Sequence, residues 1–232
     1  MTAMYSPDWF ESFAATVPAQ FSEADLEGVA RVLPLAAFPR LLDVGCGIGR
    51  VSGPLAARGY ALVGIDVSVD ALRSASRRAP GPRYVALDQR DVAAMRWQFD
   101  GALVLWNSLG FAGRSGDLET LRGLARVLRP GGRLLLDLYH PDWLARNERA
   151  GERDARGPSV RRWLRDGRLF HEIRYPNGHV DDIQFDVYGP EEMRGRCARA
   201  GLATVAEMAF WNEDTRPSAD HPRYQLVCAR PN

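Results

Sequence analysis

PRLLDVGCGIGRVSGPLAARGYALVGID, residues Pro39 to Asp66, runs from one apolar segment to another through a string of glycines. Leu41-Leu42 leads through Asp43-Val44 into Gly45-Cys46-Gly47-Ile48-Gly49, and a second apolar run, Ala61 to Ile65, closes on Asp66. The order is strand, tight loop, helix, strand. Glycines are needed where a strand turns sharply into a helix, because some positions require positive φ and a side chain would hold a ligand off the backbone. An acid at the tip of the next strand can accept two hydrogen bonds from the vicinal hydroxyls of a ribose. The stretch predicts a site for a nucleoside-bearing cofactor.

One position decides which cofactor. A dinucleotide fingerprint, G-x-G-x-x-G/A, places its third small residue where helix and strand pack closely under a pyrophosphate. Here that position is Arg50, and the glycines are Gly45, Gly47 and Gly49. The pattern D-x-G-x-G-x-G, with Asp43 at its head and Gly-Ile-Asp66 at the next strand end, resembles motif I of the class I S-adenosylmethionine-dependent methyltransferases. The later stretch Arg126 to Leu138, RVLRPGGRLLLDL, resembles that family's late motif, in which a helix breaks sharply before the fifth strand. The resemblance runs from Phe38 to Leu138 and concerns the cofactor-binding fold; it carries no information about the acceptor.

The resemblance implies a Rossmann-like, doubly wound α/β sheet of seven strands in the order 3-2-1-4-5-7-6, the last strand antiparallel. It implies S-adenosylmethionine as cofactor and S-adenosylhomocysteine as product. Asp43 and the loop Gly45, Cys46, Gly47, Gly49 are then expected to hold the methionine moiety, and Asp66 the ribose. Val67, Asp88 and Gln89 would meet the adenine, with Asp91 a competitor for the role of Asp88. Leu105 and Trp106 would form the edge near the sulfonium.

The composition narrows the field. A chain of 232 residues, 46% hydrophobic and 25% charged, is long enough for one α/β domain with additions. Net charge of +1 provides no general field for nucleic acid or membrane. Every basic residue is arginine, so no lysine is available for a Schiff base or a P-loop. Cys46, Cys197 and Cys228 lie far apart and form no C-x-x-C, so neither a zinc cluster nor a disulfide framework is indicated, and no metal is expected. No apolar run approaches the roughly 20 residues of a membrane span, and MTAMYSPDWFESF lacks the regions of a signal peptide. A cytoplasmic protein is the expectation.

Around the central stretch, Ser6-Pro7-Asp8 reads as a helix start, and Trp9, Phe10 and Phe13 share a helical face. They either pack this segment on the sheet or, with Tyr5, Trp9 and Phe10, close over the cofactor as a lid whose aromatic faces also favour a sulfonium. Ser22-Glu23-Ala24-Asp25 reads as a capping box opening a second helix that ends at Pro34. Phe99 to Leu105 is a buried strand ending in Trp106-Asn107-Ser108, which lacks the Pro-Pro found in the resembled family's base and glutamine N-methylating members. Trp106 and Asn107 line the transfer site or serve as core and turn.

Segments 159–165, 168–175 and 179–188 read as three strands joined by Asp166-Gly167 and Asn177-Gly178, a small antiparallel insertion. The predicted layout is one domain: a helical lid over 1–37, a cofactor-binding core over 38–145, the insertion as a roof over 146–188, and a closing helix with two strands over 189–232. A base must lie near the carboxyl edge of the sheet. His140, following the fifth strand in Leu138-Tyr139-His140-Pro141, is placed closest, with Tyr139 beside it; His171 and His179 fall on the hairpins and His221 in a late loop. The acceptor is expected to be a small molecule. The arginine-rich run Arg146 to Arg174 keeps an RNA methyltransferase open, a silent cofactor-binding module is the other alternative, and nicotinamide chemistry is disfavoured by Arg50.

Overall fold

The computed structural model describes residues 5–16, 19–153 and 157–232. Helix α1 (Pro7–Thr16) begins where Ser6 Oγ accepts the Trp9 amide at 3.3 Å. Phe13 belongs to this helix, but its side chain lies outside the described residues. Helix α2 (Ala19–Val32) starts ahead of the expected capping box, which places Ser22 and Asp25 inside the helix and frees their side chains for other partners.

Strand β1 (Arg40–Val44) enters the glycine loop, followed by α3 (Ser52–Ala57), β2 (Ala61–Asp66), α4 (Val69–Arg78, capped by Ser68), β3 (Arg83–Ala86), a 3-10 turn Gln89–Ala94 and β4 (Phe99–Val104). Helix α5 (Gly113–Val127) leads into β5 (Leu128–Tyr139). The helix therefore ends at Val127, before Arg129-Pro130-Gly131-Gly132. Those residues form an irregularity within the strand, since Phe99 pairs with Leu128 and Gly101 next with Arg133. Their backbone groups are taken up locally, as in Gly131 N–H to Arg230 C=O at 2.9 Å, while Arg129 reaches Asp100 at 2.7 Å.

After α6 (Pro141–Arg146) come β6 (Arg149–Arg153), β7 (Ser159–Arg165), β8 (Arg168–Arg174) and β9 (Val180–Asp186), then α7 (Pro190–Arg199), β10 (Ala203–Met208) and β11 (Arg223–Ala229). The large sheet has seven strands in the order β3-β2-β1-β4-β5-β11-β10. The first five are parallel, and β11 runs antiparallel to both neighbours, as the resemblance implied. Alternation along β1 sends Leu42 into the core on one face and Leu41 into the core on the other.

The insertion is a four-stranded antiparallel sheet, β6-β7-β8-β9, one strand more than the periodicity indicated. The β7–β8 turn uses Asp166 and Gly167, both at positive φ (52° and 72°), the combination a two-residue hairpin needs to match strand twist. Its apolar side, Leu169, Ile173, Ile183 and Phe185, packs with Leu144 and Tyr175 and against Tyr5, Trp9, Phe111 and Tyr139. That contact lays the small sheet and α1 over the carboxyl edge of the large one.

Candidate functional site

A cavity of about 790 Å³ opens where the glycine loop, the ends of β2, β3, β4 and β5, helix α1 and the small sheet meet. On the loop side it is lined by Asp43, Gly45, Cys46 and Gly47, and along the strand ends by Asp66, Val67, Asp88, Gln89, Leu105 and Trp106. Tyr5, Trp9, Phe10 and Tyr139 line the opposite part.

Asp66 is oriented by backbone. One carboxylate oxygen accepts the Gly47 amide at 2.9 Å and the other the Ser68 amide at 2.8 Å. Burial nevertheless raises its pKa, leaving a carboxylate that gains from further donors. Gly47 itself, at φ 52°, would direct a Cβ to within 3.1 Å of the Phe10 ring, so a side chain here would enter the space between loop and lid. Asp43 is buried, accepts from Ser52 Oγ, and is pushed up to about 6, chiefly by burial. Burial likewise pushes the Cys46 thiol well up, which makes it an inert packing residue. Asp88 is held below the usual carboxylate range by Arg90, whose guanidinium meets it at 2.7 Å. Its competitor Asp91 is not among the residues lining the cavity.

Three expected site residues are placed elsewhere. Gly49 does not line the cavity; at φ 78° its missing Cβ would lie 2.5 Å from the Tyr84 hydroxyl and 3.1 Å from Ala79 Cβ, so it is glycine for helix packing. Asn107 is buried and structural: its side chain accepts the Tyr139 amide at 2.9 Å and donates to Leu109 C=O at 3.1 Å, tying β4 to β5. His140 turns away, its ring edge-on to Tyr224 at 6.2 Å and its Nδ1 buried with no partner among the described residues. The histidine that does line the cavity is His171, on β8. Burial, reinforced by Arg162 and Arg149, pushes it down to about 4, so it is a neutral imidazole at pH 7. Alternation carried the signal, since Leu169, His171 and Ile173 occupy successive positions on one face of the strand.

The edge near Trp106 is built by residues the motifs did not single out. Trp106 and Asn107 sit at positive φ (53° and 62°), a conformation that costs a bulky residue free energy and is retained only under constraint. Asp137 supplies the constraint: its carboxylate accepts the Trp106 amide at 3.1 Å and its carbonyl the Asn107 amide at 3.0 Å. Arg223 pairs with Asp137 at 2.6 Å and covers one side of the Trp106 ring at 5.0 Å, with Arg50 over the ring at 4.7 Å. Arg50 is in turn bound to Asp25 at 2.8 Å, which also accepts from Trp106 Nε1 at 2.6 Å and Trp211 Nε1 at 3.1 Å. Arg50 is thus a strut between α2 and the loop, filling the place where a dinucleotide site would need a small residue.

Residues 41–132, which carry the glycine loop and the ends of β2, β3 and β4, match the family model described as a methyltransferase domain. This segment is a methyltransferase domain of the class I S-adenosylmethionine-dependent kind.

The chain is 41% identical over 117 residues to trans-aconitate 2-methyltransferase of Methylobacterium nodulans, a match covering 50% of this chain and 43% of that protein. The chain spans about half the length of the curated relatives it matches. Among solved structures, the CcbJ methyltransferase from Streptomyces caelestis superimposes with a TM-score of 0.83 at 18% identity, covering 99% of both chains. S-adenosylmethionine-bound CalS10, an amino pentose methyltransferase from Micromonospora echinaspora, does so with a TM-score of 0.71 at 22% identity and 99% coverage of both. At these identities the two structures share the fold. No helix among the described residues is long and apolar enough to cross a membrane.

The outward face of the small sheet mixes charges. Arg165 pairs with Asp166 at 3.6 Å, Arg168 with Asp186 at 3.4 Å and Arg174 with Glu172 at 3.1 Å. Trp163 and Phe170, stacked at 5.3 Å, lie between them, with Arg161 over Trp163. Neutralised arginines of this kind make a solvated surface, and a polynucleotide track requires unpaired ones.

Proposed function

We propose that this chain transfers the methyl group of S-adenosylmethionine to a nitrogen, oxygen or carbon nucleophile of a small-molecule acceptor. The observation that carries the reading is the continuity of one cavity, from Asp66 and the glycine loop to a chamber under α1 and the small sheet. When bound, the cofactor supplies an electrophilic methyl on a sulfonium, whose sulfur keeps the electrons of the broken bond as a neutral thioether.

Asp66 accepts the ribose hydroxyls, and Asp43, with the backbone of Gly45 to Gly47, receives the methionine end, the carboxylate facing its ammonium. Val67, Asp88 and Gln89 border the adenine. Leu105 and Trp106, held by Asp137, form the wall beside the sulfonium, and the aromatic faces of Tyr5, Trp9 and Phe10 favour that cation while excluding water. His171 accepts the proton that an N–H or O–H acceptor loses as its bond to the methyl carbon forms. Relatives and neighbours named for trans-aconitate and an amino pentose support a small acceptor. The layout supports one domain, with a lid over 1–37, a core over 38–145, a roof over 146–188 and closing elements over 189–232. The free, buried thiols Cys46, Cys197 and Cys228 suit a reducing cytoplasm.

Calorimetric titration with S-adenosylhomocysteine and with NAD, on the native chain and on Asp66→Ala, tests the reading. Saturable binding of S-adenosylhomocysteine alone, at roughly micromolar affinity (about −8 kcal/mol) and weakened at least tenfold by the substitution, is expected. Binding of NAD instead, or indifference to Asp66→Ala, refutes it.

A further inference from the structure

Strand pairing in the small sheet places Arg149 opposite Arg162, and Arg162 opposite His171. Residues directly opposite in antiparallel strands present their side chains on the same face. The three form a row across β6, β7 and β8 on the side that faces the cavity, which Arg149 and His171 line. We infer that this row is a subsite for an anionic group, a carboxylate or phosphate, on the acceptor. The inference rests on reading the cavity as a transfer site, and names the chemistry of what is transferred to.

Two guanidinium groups directly opposite each other repel. On the outward face of the same strands each of Arg165, Arg168 and Arg174 has a carboxylate partner, as above. Among the described residues neither Arg149 nor Arg162 has one. Arg162 donates to Asn147 C=O at 3.0 Å and lies over the Trp143 ring at 5.4 Å, but its Nε is buried with no partner among the described residues. An unpaired buried donor on a charged group is costly, and a carboxylate or phosphate oxygen is what the guanidinium fork accepts. The one carboxylate on this face diagonal to His171 is Asp181, and it is engaged by the Ser6 hydroxyl at 2.8 Å, the Tyr175 hydroxyl at 2.9 Å and the His179 ring at 3.1 Å. The positive charge of the row is left for a ligand.

His171 links the subsite to the chemistry. Arg162 faces it from β7 and Arg149 from β6, Asp181 and Ile183 from β9, and the Trp9 ring from α1 at 6.2 Å. Both arginines disfavour its protonated form. An anion seated on them cancels that field, so the imidazole becomes a stronger base only when the acceptor is in place.

The test uses the full chain with histidine ring resonances followed by NMR, with and without saturating S-adenosylhomocysteine, titrated with inorganic phosphate and, separately, acetate. Saturable movement of the His171 signals and a rise in its titration midpoint are expected. Arg149→Gln and Arg162→Gln each weaken the response at least tenfold, Arg162→Lys retains part of it, and Arg165→Gln, on the outward face, leaves it intact. Whichever probe binds tighter identifies the anion as phosphate or carboxylate. No saturable response to either probe in the native chain, or an equal response in the two Gln variants, overturns the inference. So does a tenfold loss of S-adenosylhomocysteine affinity in those variants, which would assign the arginines to the cofactor's own carboxylate. Salt-sensitive retention of tRNA that the two substitutions abolish would overturn it in favour of a polynucleotide. Failure of the native chain to bind S-adenosylhomocysteine, with the phosphate response intact, would sink the methyltransferase reading and leave the anion site standing.

Discussion

Replacing Asp43 by Asn separates the cost of the site from its use. Burial holds this carboxyl at about 6 against 3.8 in the unfolded chain, a difference of about 2 units or about 3 kcal/mol. Between these two values the folded chain binds more protons than the unfolded one. The stability difference is therefore absent below about pH 4 and fully developed, as a loss, above about pH 6. Asn keeps an acceptor for Ser52 Oγ and removes the desolvated charge. At pH 8 the cofactor-free variant should melt higher than the native chain, by up to ~2–4 °C for each kcal/mol relieved, and at pH 4 the gain should vanish. Loss of the carboxylate that faces the ammonium should meanwhile weaken S-adenosylhomocysteine binding by about 1.5–3 kcal/mol, roughly 10- to 100-fold. In the native chain, affinity should fall as pH drops below about 6. Scanning fluorimetry from pH 4 to 8.5, with and without S-adenosylhomocysteine, reads all of this. A variant that melts lower than the native chain at pH 8, or binds the ligand as tightly, refutes the account of Asp43.

Gly49→Ala should destabilise the chain by about 1–3 kcal/mol, because the added methyl meets Tyr84 and Ala79 at positive φ. S-adenosylhomocysteine affinity measured below the melting range should stay within about threefold, and a large loss would return Gly49 to the site. His171→Gln should lower kcat roughly 100-fold or more with an N–H or O–H acceptor, while His140→Gln, outside the cavity, should change kcat little; the reverse pattern in steady-state kinetics would restore His140. With an uncharged acceptor, kcat of the native chain should not change with pH between 5.5 and 8 through ionisation of His171, since burial and the two arginines push its ring down to about 4; an inflection near 6.5 that is lost in His171→Gln would show that they do not.

Much of the cofactor half was legible in the chain because it is local. Asp43, Gly45, Gly47 and Asp66 lie within one strand-loop-helix-strand unit, and their roles follow from backbone geometry that a few neighbouring residues dictate. The strand order came by resemblance and is observed. What local reading misplaced depends on long-range packing. Gly49 looked like its fellow glycines, yet α4 and Tyr84 define its surroundings. Asp25 read as part of a cap, whereas an earlier helix start aims it at Arg50, Trp106 and Trp211. Arg129-Pro130-Gly131-Gly132 carries strong turn chemistry, yet the pairing of Leu128 and Arg133 with β4 on either side of it makes it an irregularity within a strand.

The acceptor half shows the division most sharply. Position after a strand end favoured His140 as the base, because sequence distance is a guide to which residues share the carboxyl edge. A side chain's direction there depends on the packing of β11 and α6, which turns His140 toward Tyr224. His171 and the arginines gain their meaning from the register of β6, β7 and β8, a relation among residues up to 22 positions apart. The sequence by itself determined the cofactor chemistry, since that is encoded in contiguous residues with backbone requirements of their own. Only the tertiary structure decided which histidine faces the chamber and which arginines stand without acids, because burial and register are properties of strands brought together, not of any one of them.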